Sequence, residues 1–222
     1  MTSRSKIPIA IVIGGIIIAG TIYLTAPEKS PANPSLMRPI SAADHILGNP
    51  AAKVMIVEYS DFECPYCAQF HTTLHQIVAN EGAKGEVAWV FRHFPLVELE
   101  AHKNALQLAK AAECAGEAGG PEAFWRFADA LYERQPATPS QVGTIAASVH
   151  IPGDTFATCY ASESAAKPLV ERIMQDRQNA LDMGADGTPF SIIVAPGKSP
   201  IVIESAYSYG AVQELVDEAL SQ

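Results

Sequence analysis

Cys64 and Cys67 enclose the dipeptide Pro65-Tyr66. Two thiols at this spacing can trade a disulfide with another protein, hold half of a metal site, or form a static bridge. Their surroundings favour the first. The run Val54-Met55-Ile56-Val57-Glu58-Tyr59-Ser60, entered from Lys53, reads as a buried strand. Phe70, Leu74, Ile77 and Val78 form a helical stripe over Pro65 to about Asn80. The dithiol therefore stands where a strand ends and a helix begins. Free N–H groups and the helix dipole favour negative charge at that point. Cysteine ordinarily titrates near ~8.5, and such positions lower this by roughly one to five units, toward the reactive thiolate.

The other readings are weaker. A structural zinc site usually needs a second Cys or His pair at matching spacing, and Cys114 and Cys159 stand alone. His71, four residues after Cys67, allows a Cys/Cys/His face, although a polar position on the first helical turns accounts for it better. A static bridge across so small a loop adds little stability.

The elements that must hold this pair follow from the pattern. Val87-Ala88-Trp89-Val90-Phe91-Arg92-His93-Phe94 reads as a second strand, parallel to the first across the helix. Helices are predicted over His102 to about Gly116, Pro121 to about Tyr132, Pro139 to Val149, Pro152 to about Ala161, and Ala165 to Met183. Pro168 would then fall in the first turn of the last of these. Phe190–Val194 and Ile201–Ile203 read as a hairpin around Pro196-Gly197-Lys198, followed by a helix carrying Val212, Leu215, Val216 and Leu220. The order β-α-β, helices, β-β-α predicts a small α/β sheet domain with a helical insertion at about residues 97–185.

The chain of 222 residues carries a net charge of −9. Beyond Arg4 and Lys6 the remainder has 13 Lys+Arg against 24 Asp+Glu, which argues against nucleic-acid partners and anionic-membrane binding. Ile7 to Leu24 form 18 residues without charge, long enough to span a bilayer. With Arg4 and Lys6 ahead of it, the segment predicts an anchor over residues 1–24 with its N-terminus in the cytoplasm and the body outside it. A cleaved signal ending near Leu24-Thr25-Ala26 is the alternative, opposed by Pro27. Pro27, Pro31, Pro34 and Pro39 give residues 25–43 a linker composition.

Ser60-Asp61-Phe62-Glu63-Cys64-Pro65-Tyr66-Cys67 and Gly187-Thr188-Pro189-Phe190, with Asp44-His45-Ile46-Leu47-Gly48-Asn49-Pro50 at the start, resemble the DsbA-like thiol:disulfide oxidoreductases of the thioredoxin superfamily. The resemblance covers about residues 44–222. It implies a thioredoxin fold, Cys64 as nucleophile, Cys67 as resolving cysteine, and a Pro65-Tyr66 dipeptide that tunes the reduction potential. It also implies a cis bond at Thr188-Pro189, with that loop facing the dithiol and offering a backbone edge to substrate. Glu58 would then lie beneath the site as a proton acceptor for Cys67; a solvated edge position is the alternative. Asp61 and Glu63 read as surface charges or turn caps, and His93 as a packed or exposed residue rather than a catalyst. In an exported body, Cys114 and Cys159 on different helices are expected to pair.

These readings imply no cofactor and no metal. They imply exported cysteine-containing proteins as substrates and a membrane redox partner that recycles the dithiol on the periplasmic side. Oxidation of substrate dithiols is the first choice, and isomerase or reductase activity the alternative. A tethered client- or metal-binding module using Cys64, Cys67 and His71 is the reading from another class.

Overall fold

The computed structural model describes residues 31–221. The expected anchor, and the linker up to Ser30, lie outside the described residues. No helix among the described residues is long and apolar enough to cross a membrane.

A mixed five-stranded sheet in the order β1-β3-β2-β4-β5 organises the body. Its strands are β1 (His45–Gly48), β2 (Val54–Ser60), β3 (Val87–His93), β4 (Phe190–Val194) and β5 (Ile201–Ile203). The central strand β2 pairs parallel with β3 and antiparallel with β4. The parallel pair needs a crossover, supplied by α1 (Pro65–Asn80). The edge strand β1 pairs antiparallel with β3 and was not predicted.

Alternation along β2 sends Val54, Ile56 and Glu58 to one face and Met55, Val57 and Tyr59 to the other. The first face meets Phe70, Leu74 and Ile77 of α1, together with much of the helical insertion. The second packs on Val90, Phe190, Ala180 and Met183. Because both faces are covered, every residue of β2 and β3 is buried.

The insertion comprises α2 (Ala105–Gly119), α3 (Pro121–Glu133), α4 (Val142–Ser148), α5 (Gly153–Ala161) and α6 (Glu163–Asp182). The terminal helix α7 (Tyr209–Leu220) packs beside α1. The predicted start of the first inserted helix at His102 is replaced by a 3-10 turn, Glu100–His102, ahead of α2. Ser162 caps α6 by accepting the Ala165 N–H. This starts the helix two residues earlier than expected and leaves Pro168 in its second turn rather than its first. Cys114 of α2 and Cys159 of α5 are joined by a disulfide.

The linker reading requires correction from residue 32 onward, where the chain already belongs to the compact body. The Asn33 N–H donates to the Met183 carbonyl at 2.8 Å. Arg38 bridges Asp44 and Asp176 at 2.8 and 2.6 Å. Arg92, fully buried on β3, holds Asp44 at 2.8 Å and also donates to the carbonyls of Arg38 and Pro39. Proline content resembled a linker because these partners lie far along the chain, Asp176 being 138 residues beyond Arg38 and Met183 farther still from Asn33.

Candidate active site

Cys64 is the N-cap residue of α1, extended at φ −79° and ψ 119°, with Pro65 at the first helical position. Proline there fits the helix without losing an internal hydrogen bond, because the N–H it lacks would have had no partner. The unused backbone donors of the first turn, from Tyr66 and Cys67, are left to the Cys64 sulfur. Cys64 is 4 % exposed and Cys67 is fully buried, so the more exposed thiol is nevertheless shielded. Tyr66, by contrast, is 61 % exposed on the rim.

The electrostatics split the pair. The Cys64 thiol is brought down to about 6, chiefly by the Cys67 thiol hydrogen bond, with burial opposing and the Thr188 side chain and two backbone N–H groups assisting. Cys67 moves the other way. Burial pushes it well above the ordinary range, and the charges on Cys64 and Glu58 add to this. One sulfur is thus held as the thiolate while the other keeps the proton that stabilises it.

Thr188 lies against this pair. The Thr188-Pro189 bond is cis, and the Cys64 thiol donates to the Thr188 carbonyl oxygen at 3.3 Å. The buried Thr188 hydroxyl makes no hydrogen bond with the protonated thiol among the described residues, and it favours the sulfur as a donor once Cys64 is ionised.

Glu58 is fully buried on β2, opposite Ser191 of β4. Burial pushes its carboxyl up to about 8, with the Ser60 hydrogen bond opposing. The solvated-edge alternative is therefore not what the fold presents. The Ser60 hydroxyl donates to Glu58 Oε1 at 2.8 Å, so the Tyr132 hydroxyl must donate to Ser60 Oγ, 2.9 Å away. Glu58 Oε2 has no partner among the described residues. A carboxyl that titrates at about 8 beside a buried thiol is mostly protonated at neutral pH and can give a proton to a Cys67 thiolate, while its ionised fraction can take one from the Cys67 thiol.

The sequence expectations for Asp61 and His71 are relocated, while His93 is packed, one of the two placements expected for it. Asp61 is not a surface charge. It is 2 % exposed, and it accepts from the backbone N–H groups of Glu63 and Leu96 while pairing with His102 at 2.9 Å. Glu63 likewise accepts from the backbone N–H and the carboxamide of Asn104. Together they fasten the active-site loop to the start of the insertion. His71 does not complete a Cys/Cys/His face; it is buried against Asp129 and His75. His93 is buried beside Glu113 at 2.9 Å, and burial lowers its imidazole to about 4.

Sequence reasoning missed Gln135, whose carboxamide donates to the carbonyls of Phe62 and Cys64 at 2.7 and 3.2 Å. It also missed Tyr132. Neither residue carries a local signal, since each reaches the dithiol only by packing of the insertion.

The comparisons agree with this architecture. The structure of alpha-DsbA1 from Wolbachia pipientis superposes with a TM-score of 0.69 at 22% identity, covering 83% of this chain and 94% of that one. A thioredoxin-like oxidoreductase from Silicibacter pomeroyi DSS-3 gives 0.65 at 25% identity, covering 81% and 93%. Among curated proteins, the Na(+)/H(+) antiporter NhaA 1 of Mycolicibacterium gilvum is 36% identical over 128 residues, which is 57% of this chain. The matched stretch is only 19% of that antiporter's length. Residues 41–217, from the turn before β1 into α7, match the family model described as Thioredoxin; the chain belongs to the thioredoxin family.

Proposed function

We propose that this protein is a thiol:disulfide oxidoreductase that oxidises the dithiols of exported proteins through Cys64 and Cys67. The observation that carries the reading is the split of the pair. Cys64 is brought down to about 6 at a helix N-terminus and Cys67 is held protonated behind it. A thiolate stabilised in the reduced form makes the corresponding disulfide oxidising. In the oxidised protein, a substrate thiolate attacks the Cys64 sulfur and the Cys64–Cys67 bond breaks, leaving its electron pair on Cys67. A second substrate thiolate then attacks the mixed disulfide at its substrate sulfur and expels Cys64 as a thiolate. Substrate leaves with a disulfide, and the enzyme leaves two electrons richer, with Cys64 as a thiolate and Cys67 as a thiol that has taken its proton from Glu58. In the opposite direction Cys67 resolves the mixed disulfide, passing its proton to the ionised form of Glu58, whose share grows as pH approaches 8. Pro65 and Tyr66 set the geometry and the rim of the site. Thr188 and Pro189 present the backbone edge to substrate. A membrane redox partner would withdraw the two electrons, and the uncharged segment Ile7 to Leu24 would hold the body at the membrane on the periplasmic side.

The equilibrium reduction potential of the Cys64/Cys67 pair against glutathione tests the direction. A value well above that of the glutathione couple supports oxidation. A strongly reducing value would replace it with the reductase reading. Protease treatment of spheroplasts tests the location: digestion of the body with retention in the membrane fraction supports it, and a protected body overturns it.

A further inference from the structure

One turn beyond the dithiol, α1 presents a second set of chemically competent groups that the exchange reaction does not use. His71 and His75 are four residues apart and so share one face of the helix. That face meets α3 at Asp129. His71 Nε2 and His75 Nε2 lie 2.7 and 2.8 Å from the same carboxylate atom, Asp129 Oδ1, and 3.2 Å from each other. Three atoms, each able to offer a lone pair, thus converge on one point. His71 is buried and His75 is partly open, and the group lines a cavity of about 490 Å³ that also includes Glu133 and Tyr132.

We propose that His71, His75 and Asp129 form a binding site for a divalent first-row transition-metal ion, separate from the dithiol. Two imidazoles and one carboxylate are a borderline donor set, suited to zinc and its neighbours rather than to calcium or magnesium. Tetrahedral bonds of about 2.0–2.1 Å place ligand atoms roughly 3.3 Å apart, so the Asp129 oxygen must withdraw by about half an ångström. Asp129 is partly exposed and has room to do so. The fourth position opens to the cavity, where water or the Glu133 carboxylate can enter. The ion would tie α1, which carries Cys64 and Cys67, to α3 of the insertion.

A similar trio, His45, His93 and Glu113, does not carry the same inference. Arg172 already pairs with Glu113 there, and the His45 ring is stacked on Phe124 with centroids 3.4 Å apart. The second oxygen of the Glu113 carboxylate is therefore already engaged by a cation, while both histidines lie on the first.

His71 Nδ1 is buried with no hydrogen-bond partner among the described residues. With Nε2 on the ion, no carbonyl or carboxylate orients this ring from behind. Such outer partners are worth about 10–100-fold in affinity, so binding should be correspondingly weaker than in a fully supported site.

The test titrates Zn²⁺ into the detergent-purified full chain with the Cys64–Cys67 disulfide formed, so that no free thiol competes. Calorimetry should give one ion per chain, and the melting temperature should rise with added metal. His75→Ala and Asp129→Asn should each weaken binding at least tenfold. Should either variant fold poorly, imidazole ¹⁵N resonances of the unaltered protein give an independent readout. Two histidines, assigned as His71 and His75, should shift on addition of the metal. Absence of binding overturns the proposal, as does binding that both variants retain or a shift confined to other histidines. Because the thiols are oxidised throughout, failure of this site leaves the exchange reaction untouched, and the converse holds as well.

Discussion

The Cys64 thiol donates its hydrogen to the Thr188 carbonyl oxygen at 3.3 Å. This bond exists only while the sulfur is protonated. On ionisation the carbonyl loses its donor and becomes an open acceptor beside the thiolate. On the proposed function, the step that arms the sulfur also frees an acceptor that the backbone N–H of an extended substrate would take, the edge-pairing mode of peptide recognition.

Alkylation of reduced protein by iodoacetamide should follow the Cys64 thiolate, with a midpoint near pH 6 instead of the ~8.5 of a free thiol. Cys64→Ser should abolish exchange with a model substrate, and Cys67→Ser should accumulate mixed disulfides. Thr188→Val removes a hydroxyl that favours the thiolate. It should move the midpoint upward by roughly a three- to tenfold change in ionisation constant, the worth of a hydrogen bond of about 0.5–1.5 kcal/mol. An unmoved midpoint would remove the hydroxyl from the account.

Glu58 makes stability depend on pH in a defined direction. Its folded carboxyl titrates at about 8, against 4.5 for the ordinary group. Between these values the folded state binds more protons than the unfolded one, so stability falls as pH rises through the window. Urea unfolding of the oxidised protein, in which neither Cys64 nor Cys67 titrates, should show this decline. Glu58→Gln should flatten it. The same variant should slow resolution of a mixed disulfide by roughly 10²-fold, the lower end of what a positioned proton acceptor contributes. A wild-type profile already flat from pH 5 to about 8 would contradict the buried carboxyl.

Removing the Cys114–Cys159 bond by a double alanine substitution should cost about 4 kcal/mol, given the 45-residue separation and the chain-entropy model. The measurement is denaturant unfolding of both proteins with Cys64 and Cys67 in the same redox state. Under mild reductant, mass mapping should find Cys64 and Cys67 reduced before this pair.

His93 should remain neutral well below the usual histidine range, titrating near 4 by proton resonance. Its folded value lies under its unfolded value near 6.5. Stability from this group is therefore present above pH 6.5 and lost as pH falls toward 4. A resonance for His93 that titrates near 6.5 would show that the ring is not enclosed.

What was legible in the sequence was local chemistry with strong periodicity. The strand before Cys64, the stripe behind it, the Phe190–Val194 strand after Thr188-Pro189 and the helices between all follow from residue spacing. What escaped depends on contacts between distant segments. β1 has only four residues and is defined by its pairing with β3. Glu58 has the same local pattern whether its face meets solvent or helix, so only the fold decides its burial. Asp61 looked like a surface turn residue because the groups that bury it, Leu96 N–H and His102, arrive 35 and 41 residues later. Asn33 and Arg38 were hidden by the prolines around them.

The grip of Gln135 on the carbonyls of Phe62 and Cys64 bears on how far the insertion could be cut back. Together with Tyr132 and Asp129, it makes the stretch from α3 to residue 135 a scaffold for the nucleophile's own backbone. The helical segment is therefore not a detachable ornament on an older sheet. Trimming it away to recover a minimal redox module would strip support from the loop that sets the sulfur in place. Substitutions on the outer helices should therefore leave this loop in place, whereas changes at Gln135 and Tyr132 should disturb it.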